Sequence, residues 1–220
     1  MIGNIKGAIF DMDGTLIDSL MLWDVLWERL GIRYLQKEGF RPSEDVDKAI
    51  RTMLLKDGMN MVHDVYGFGK DGMELLTAAN EIFRNFYANE VELKPGVLEF
   101  LEACRSKGIK MCVASATGPR LLSVAMEHCG IGHYFSRIFS CAEVGKGKDQ
   151  PDIYQAALEY LGTSPKETCV FEDSAVAIDT AHDMGLLTVA IYDCYNYGQE
   201  HMKATADAYV AKSETLMKFV

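Results

Sequence analysis

Residues 8–15 read Ala-Ile-Phe-Asp-Met-Asp-Gly-Thr, and this stretch constrains the chain more than any other. Three apolar residues, Ala8-Ile9-Phe10, read as the end of a buried strand, and two carboxylates, Asp11 and Asp13, follow where it stops. Side chains two apart on an extended backbone share a face, so the two acids can converge. Gly14 lets the chain turn sharply after them. Crowded carboxylates repel unless something neutralises them, and a metal cation is the simple remedy. Hard oxygen ligands favour magnesium. The other reading of the same residues is a turn made by Asp11 and Asp13, with Thr15 capping a following helix.

After Ser19 the pattern becomes helical: Leu20, Leu22, Trp23, Leu26, Trp27 and Leu30 recur at spacings of three and four, and Gly31 is the expected stop. A second helix is predicted over 43–55, with Ser43 as N-cap and Glu44 and Asp45 in its first turn. A turn at 56–58, a short helix over 59–66, a glycine-rich loop at 67–72 and an amphipathic helix over 73–89 follow. No strand is expected from 20 to 92. Pro95-Gly96 then opens a region in which helices and strands alternate. Strands are predicted at 109–114, 137–140, 168–171, 187–192 and 209–211, with helices at 96–107, 119–129 and 151–161 and one ending near 184. Such alternation predicts an α/β core with a parallel sheet, interrupted by a helical insertion that reads as a cap. In such folds the working residues sit at the carboxyl ends of strands.

Composition bounds the function. The 220 residues suit one large domain, or a core with a smaller companion, and 49% apolar content is ample for packing. The net charge of −10 argues against a nucleic-acid or membrane-surface binder. An anionic substrate would need local positive charge to offset that field. The six cysteines, at 104, 112, 129, 141, 169 and 194, form no Cys-x-x-Cys pair and read as buried reduced thiols. No apolar run approaches the ~20 residues of a membrane span, and the first residues run straight into a strand rather than a signal peptide. The expectation is a cytoplasmic protein.

Three more polar clusters stand at predicted strand ends or in loops. Ser115-Ala116-Thr117 follows an apolar strand and precedes a helix, where a hydroxyl and backbone N–H groups make a phosphate site or an ordinary helix cap. Lys148 lies in the loop Val144-Gly145-Lys146-Gly147-Lys148-Asp149-Gln150-Pro151, as a site cation or a solvated surface charge. Glu172-Asp173 follows Cys169-Val170-Phe171, as paired ligands or as a solvent-facing pair with Asp173 or Ser174 capping the next helix.

Together, Asp-x-Asp-Gly-Thr, Ser115-Ala116-Thr117, Lys148 ahead of Pro151-Asp152, and Glu172-Asp173 resemble the four motifs of the haloacid dehalogenase superfamily in order. The helical insertion after the first motif resembles the β-phosphoglucomutase and phosphoglycolate-phosphatase branch. The resemblance implies a Rossmann-like doubly wound parallel sheet core, 1–18 with 94–220, and an inserted all-helical cap, 19–93. It implies Asp11 as covalent nucleophile, Asp13 as general acid/base, and Lys148 neutralising the nucleophile and the phosphoryl oxygens. Lys146 competes for that last role, because Asp149-Gln150 stands where related chains often have Lys-Pro directly. Ser115, Ala116 and Thr117 would bind phosphate, and Mg2+ would be held by Asp11, Asp13 through its backbone carbonyl, Asp173 and Glu172. Lys56, in its predicted turn, is a further candidate for substrate contact, against the plain surface lysine such a position usually holds.

The expected activity is magnesium-dependent hydrolysis of a small phosphomonoester through an aspartyl-phosphate, with the cap setting substrate choice and excluding water. The expected partner is a small phosphorylated metabolite, with no nucleic acid and no membrane, and the chain is expected to be a monomer. A phosphomutase is the alternative, but Trp23 stands where the named mutases carry a His early in the cap. Haloacid dehalogenation fits less well, since those relatives lack the second acid and need no metal. A silent phosphate-binding module is the reading from another class.

Overall fold

The computed structural model describes residues 5–51, 53 and 55–220. The chain divides into two compact units, Met1–Leu20 with Val91–Val220, and Met21–Glu90. The strands are β1 (Gly7–Phe10), β2 (Ile17–Asp18), β3 (Glu92–Leu93), β4 (Lys110–Ser115), β5 (Ile138–Ser140), β6 (Thr168–Glu172), β7 (Leu187–Ile191) and β8 (Ala208–Val210). The helices are α1 (Leu22–Leu35), α2 (Glu44–Arg51), α3 (Leu55–Tyr66), α4 (Gly72–Asn89), α5 (Val97–Ser106), α6 (Pro119–His128), α7 (Cys141–Val144), α8 (Asp152–Leu161), α9 (Ala175–Asp183) and α10 (Gln199–Thr205). Among the described residues no helix is long and apolar enough to cross a membrane.

The larger unit is an α/β core. Six strands pair in the order β5-β4-β1-β6-β7-β8, every pair parallel. Every residue of β1 is buried, which is why it reads as a continuous apolar run rather than an alternation. On one face Ile9 packs with Val170 and with Ile153, Tyr154 and Ala157 of α8. On the other Phe10 stacks on Phe171 with ring centroids 4.6 Å apart, and Phe100 of α5 meets Phe171 edge-on. Helices therefore cover both faces, the Rossmann-like arrangement.

The strand order also sets where a site can form. From β1 the chain moves outward through β4 and β5 on one side, and from β6 through β7 and β8 on the other. Loops leaving β1 and β6 part in opposite directions and leave a crevice at their carboxyl ends. β2 and β3 form a separate antiparallel ribbon, Ile17 opposite Leu93 and Asp18 opposite Glu92. The expectation of no strand up to 92 therefore fails at Glu92, because a two-residue strand carries too little pattern to be read.

The smaller unit is helical, and its core includes Leu26, Trp27, Leu30, Met59, Val62, Leu75, Phe83, Phe86 and Tyr87. Its boundaries correct three expectations. Gly31 does not stop α1; the helix runs on to Leu35 and ends at Gln36, whose φ of 54° is left-handed. Gly31 is there for packing, since a Cβ on it would lie 2.4 Å from the Cβ of Phe40. The predicted turn at 56–58 is the opening of α3 instead. Gly58 packs against Ile50, whose Cγ2 would be 2.8 Å from an added Cβ. Tertiary contact overrides the local turn signal of Lys-Asp-Gly. The helix predicted over 43–55 is α2 as far as Arg51, and Leu55 already belongs to α3. Residues 52 and 54 of that prediction lie outside the described residues.

All six cysteines are free thiols, but only Cys104, Cys112 and Cys169 are buried; Cys129 and Cys141 are half-buried and Cys194 is exposed.

In an ordinary helix interior Gly→Ala adds up to about 1 kcal/mol of stability. At position 31 the sign reverses: Gly31→Ala is expected to destabilise by about 1–3 kcal/mol through overpacking against Phe40. Urea denaturation of the variant checks this, and a gain in stability would contradict the packing account.

Candidate active site

The carboxyl end of β1 starts the site. The Asp11 N–H donates to the carbonyl of Phe171 at 2.9 Å, extending the sheet ladder one residue beyond β1. This fixes Asp11 against the end of β6, where Glu172 closes the strand and Asp173 follows. Asp11, Glu172 and Asp173 are all buried. One carboxylate oxygen from each lies within 4.8 Å of the others. Lys148 reaches into this group, its Nζ donating to Asp11 Oδ1 and, at 2.7 Å, to Glu172 Oε2. Lys146, its sequence competitor, is exposed.

Each acid is also held from behind. Glu172 Oε1 accepts from the backbone N–H groups of Asp173, at 3.2 Å, and Ser174, at 3.1 Å. Asp173 Oδ1 accepts from the Thr15 hydroxyl at 3.2 Å, and Asp173 Oδ2 accepts from the Asn196 amide. Thr15 is therefore buried against the acid cluster and is not the helix cap of the alternative reading. Asp173 does not cap either: α9 starts after Ser174 with no side-chain cap bond.

Asp13 has different company. Its Oδ1 accepts from the Ser19 hydroxyl at 2.7 Å and its Oδ2 from the Thr117 hydroxyl at 2.7 Å. Ser115 ends β4, and its Oγ accepts from the Thr117 N–H at 3.1 Å, shaping the turn into α6. Asp11, Asp13, Ser115, Ala116, Thr117, Lys148, Glu172 and Asp173 thus line one cavity of about 420 Å³. The larger unit supplies all of them. Lys56 belongs to the smaller unit, exposed in the first turn of α3.

Charge dominates this cavity. Burial pushes the Asp11 carboxyl up to about 8, with Lys148 pulling against the shift and Glu172 and Asp13 adding to it. Burial, then the neighbouring Glu172 and Asp11, raises Asp173 well above the usual carboxylate range. Burial alone would lower the Lys148 ammonium, but Asp11 and Glu172 outweigh it and hold that ammonium above its ordinary range. If all three acids were ionised beside one ammonium, two negative charges would be left uncompensated. That deficit, set among oxygen donors within reach of one another, fits a hard divalent cation such as magnesium.

Sequence reasoning missed the groups that do the holding: Ser19, Thr15 in its actual role, Asn196, and the one-turn helix α7. The last is closed by a capping box between Ser140 and Glu143, a Ser-x-x-Glu signal that was available in the sequence. Asn196 has no such signal; it sits in an irregular loop 23 residues beyond Asp173.

Gly14 makes the geometry possible. Its φ is +77°, and a Cβ would fall 2.1 Å from Asp173 Oδ2. Gly14→Ala is expected to destabilise the protein by about 1–3 kcal/mol and to displace Asp173. Equilibrium denaturation together with a crystal structure of the variant tests this; an unmoved Asp173 with unchanged stability would refute it.

The model of the haloacid dehalogenase-like hydrolase family matches residues 5–185. The chain is 28% identical over 214 residues to a phosphorylated carbohydrates phosphatase of Thermotoga maritima, covering 96% of this chain and 97% of that protein. It is 25% identical over 199 residues to a phosphoglycolate phosphatase of Pseudomonas putida, covering 87% and 71%. Its fold is similar to the crystal structure of a candidate β-phosphoglucomutase from Thermotoga maritima, with a TM-score of 0.81, 26% identity and 94% of each chain covered. A family match over most of the chain, joined to this site, makes the protein a member of the haloacid dehalogenase-like hydrolases, in their β-phosphoglucomutase and phosphoglycolate-phosphatase branch.

Proposed function

We propose that the protein is a magnesium-dependent phosphatase that hydrolyses a small phosphomonoester of the sugar-phosphate class, carrying the phosphoryl group transiently on Asp11. The observation that carries this reading is the contrast between the two acids of the first stretch. Asp11 is buried beside a lysine and two further carboxylates, whereas Asp13 is held by two hydroxyls on the same cavity. This contrast supports Asp11 as the nucleophile and Asp13 as the residue that handles a proton. The phosphatases among the relatives support the reaction class, and the phosphorylated carbohydrates phosphatase supports the substrate class.

In this mechanism the Asp11 carboxylate attacks phosphorus as the bond to the leaving oxygen breaks. Asp13, protonated, gives its proton to that oxygen, and the alcohol departs. The Asp13 carboxylate then takes a proton from a water, whose oxygen attacks the phosphoryl group. Inorganic phosphate leaves and Asp11 is restored. Lys148, the Ser115 hydroxyl and the backbone N–H groups after Ser115 stabilise the phosphoryl oxygens. Asp11, Asp173 and the Asp13 carbonyl would hold magnesium, with Glu172 in support. The bound ion would supply charge neutralisation for phosphate among the carboxylates.

Trp23 packs on the rings of Trp27 and Phe83 and offers no proton-transfer group where the resemblance puts a mutase histidine. This favours release of phosphate to water over its return to a bound sugar. The proposal extends to a cytoplasmic monomer whose partner is the metabolite it cleaves. Lys56 stays a proposed substrate contact, to be tested by the KM of Lys56→Ala.

The test is phosphate release from a panel of sugar, polyol and glycolate phosphates, with and without magnesium. Magnesium-dependent release is expected, abolished in Asp11→Asn and reduced about 10²–10⁴-fold in Asp13→Ala. Undiminished release by Asp11→Asn would overturn the proposal.

A further inference from the structure

The segment between β7 and α10, residues 192–198, carries none of the motifs read from the sequence, yet it reaches the acid cluster. Asn196 Nδ2 donates to Asp173 Oδ2 and, at 3.0 Å, to the main-chain oxygen of the same residue. With Thr15 on Oδ1, both carboxylate oxygens of Asp173 are engaged by the protein.

The segment is itself anchored on both sides of Asn196. Asp193 is buried, and its Oδ2 accepts from Lys94 Nζ at 2.7 Å; the same ammonium donates to the carbonyl of Tyr192 at 3.2 Å. Asp193 Oδ1 accepts from the N–H of Tyr195 at 2.9 Å. The Gln199 amide donates to the carbonyls of Asp193, at 2.9 Å, and Asn196, at 3.2 Å. Gln199 Oε1 in turn accepts from the Tyr209 hydroxyl at 2.7 Å. Ordering a polar loop costs conformational entropy, and these bonds offset that cost while aiming one amide at one carboxylate.

We infer that Asn196 is a positioning residue for Asp173: its amide, held by the 192–199 strap, fixes the carboxylate in the orientation that receives the divalent cation. The inference rests on the proposed magnesium site. Partners that orient a ligand from behind set its rotamer and basicity, and losing one costs about 10–100-fold in metal affinity. Without the Asn196 amide, the Thr15 hydroxyl would be left to hold the Asp173 carboxylate from one side.

The experiment is magnesium titration by calorimetry of the wild type, Asp173→Asn, Asn196→Ala and Asn196→Leu, each also followed by its thermal shift with magnesium. Binding by the wild type that is lost in Asp173→Asn supports the site itself; no binding by the wild type, or undiminished binding by Asp173→Asn, would sink the magnesium reading. Given a working site, both Asn196 variants are expected to bind magnesium about 10–100-fold more weakly. The magnesium concentration for half-maximal turnover is expected to rise in parallel. Leu keeps the branched shape of Asn at somewhat greater volume and removes both polar atoms of the amide, so wild-type affinity in Asn196→Leu would assign the residue to packing and overturn the inference. Wild-type affinity in Asn196→Ala would overturn it as well. If Asn196→Ala does not fold, the Leu variant decides alone.

Discussion

Three buried carboxylates crowd around one lysine, and the rest of the larger unit is arranged to keep them there. Asp11, Glu172 and Asp173 repel one another in a dry setting, so a loose scaffold would let them part. The scaffold is not loose. Asp11 is locked to β6 by a backbone bond, Glu172 by its own turn, and Asp173 by a threonine and an asparagine. Beneath them the packed rings of Phe10, Phe100 and Phe171 and the aliphatic side chains of Ile9 and Val170 hold the strands in register. The apolar sheet is what makes so costly a charge arrangement sustainable.

That arrangement also solves a problem set by composition. A chain of net charge −10 is a poor magnet for phosphate. Among the described residues lining the cavity Lys148 is the one cation, and it is already committed to two carboxylates. In the proposed function, further positive charge for an anionic substrate would come from a divalent ion seated on the same acids. Burial first, and the neighbouring carboxylates after it, raise the proton affinities of Asp11 and Asp173.

Legibility followed the range of the interactions. That Asp11, Asp13, Ser115, Glu172 and Asp173 line one cavity was legible because each ends or follows an apolar strand within a few residues, and the parallel sheet brings strand ends together. Lys148 was separable from Lys146 only by spacing ahead of a helix, and the structure settles which of the two meets Asp11. Gly31 and Gly58 misled because glycine signals a stop or a turn locally, whereas here each admits a side chain that packs back from outside its own helix, Phe40 and Ile50 respectively. Asn196 was out of reach altogether: its contact with Asp173 comes from an irregular loop tied down by Lys94, far away in sequence, and by Gln199 and Tyr209 beyond it.

The most direct test of the central claim is mass spectrometry of the protein, acid-quenched during turnover with magnesium and a good substrate. The account predicts a peptide containing Asp11 heavier by one phosphoryl group, absent without substrate. Phosphate release at full rate with no phosphoryl group on Asp11 at any quench time, under conditions where breakdown of the intermediate limits turnover, would contradict it.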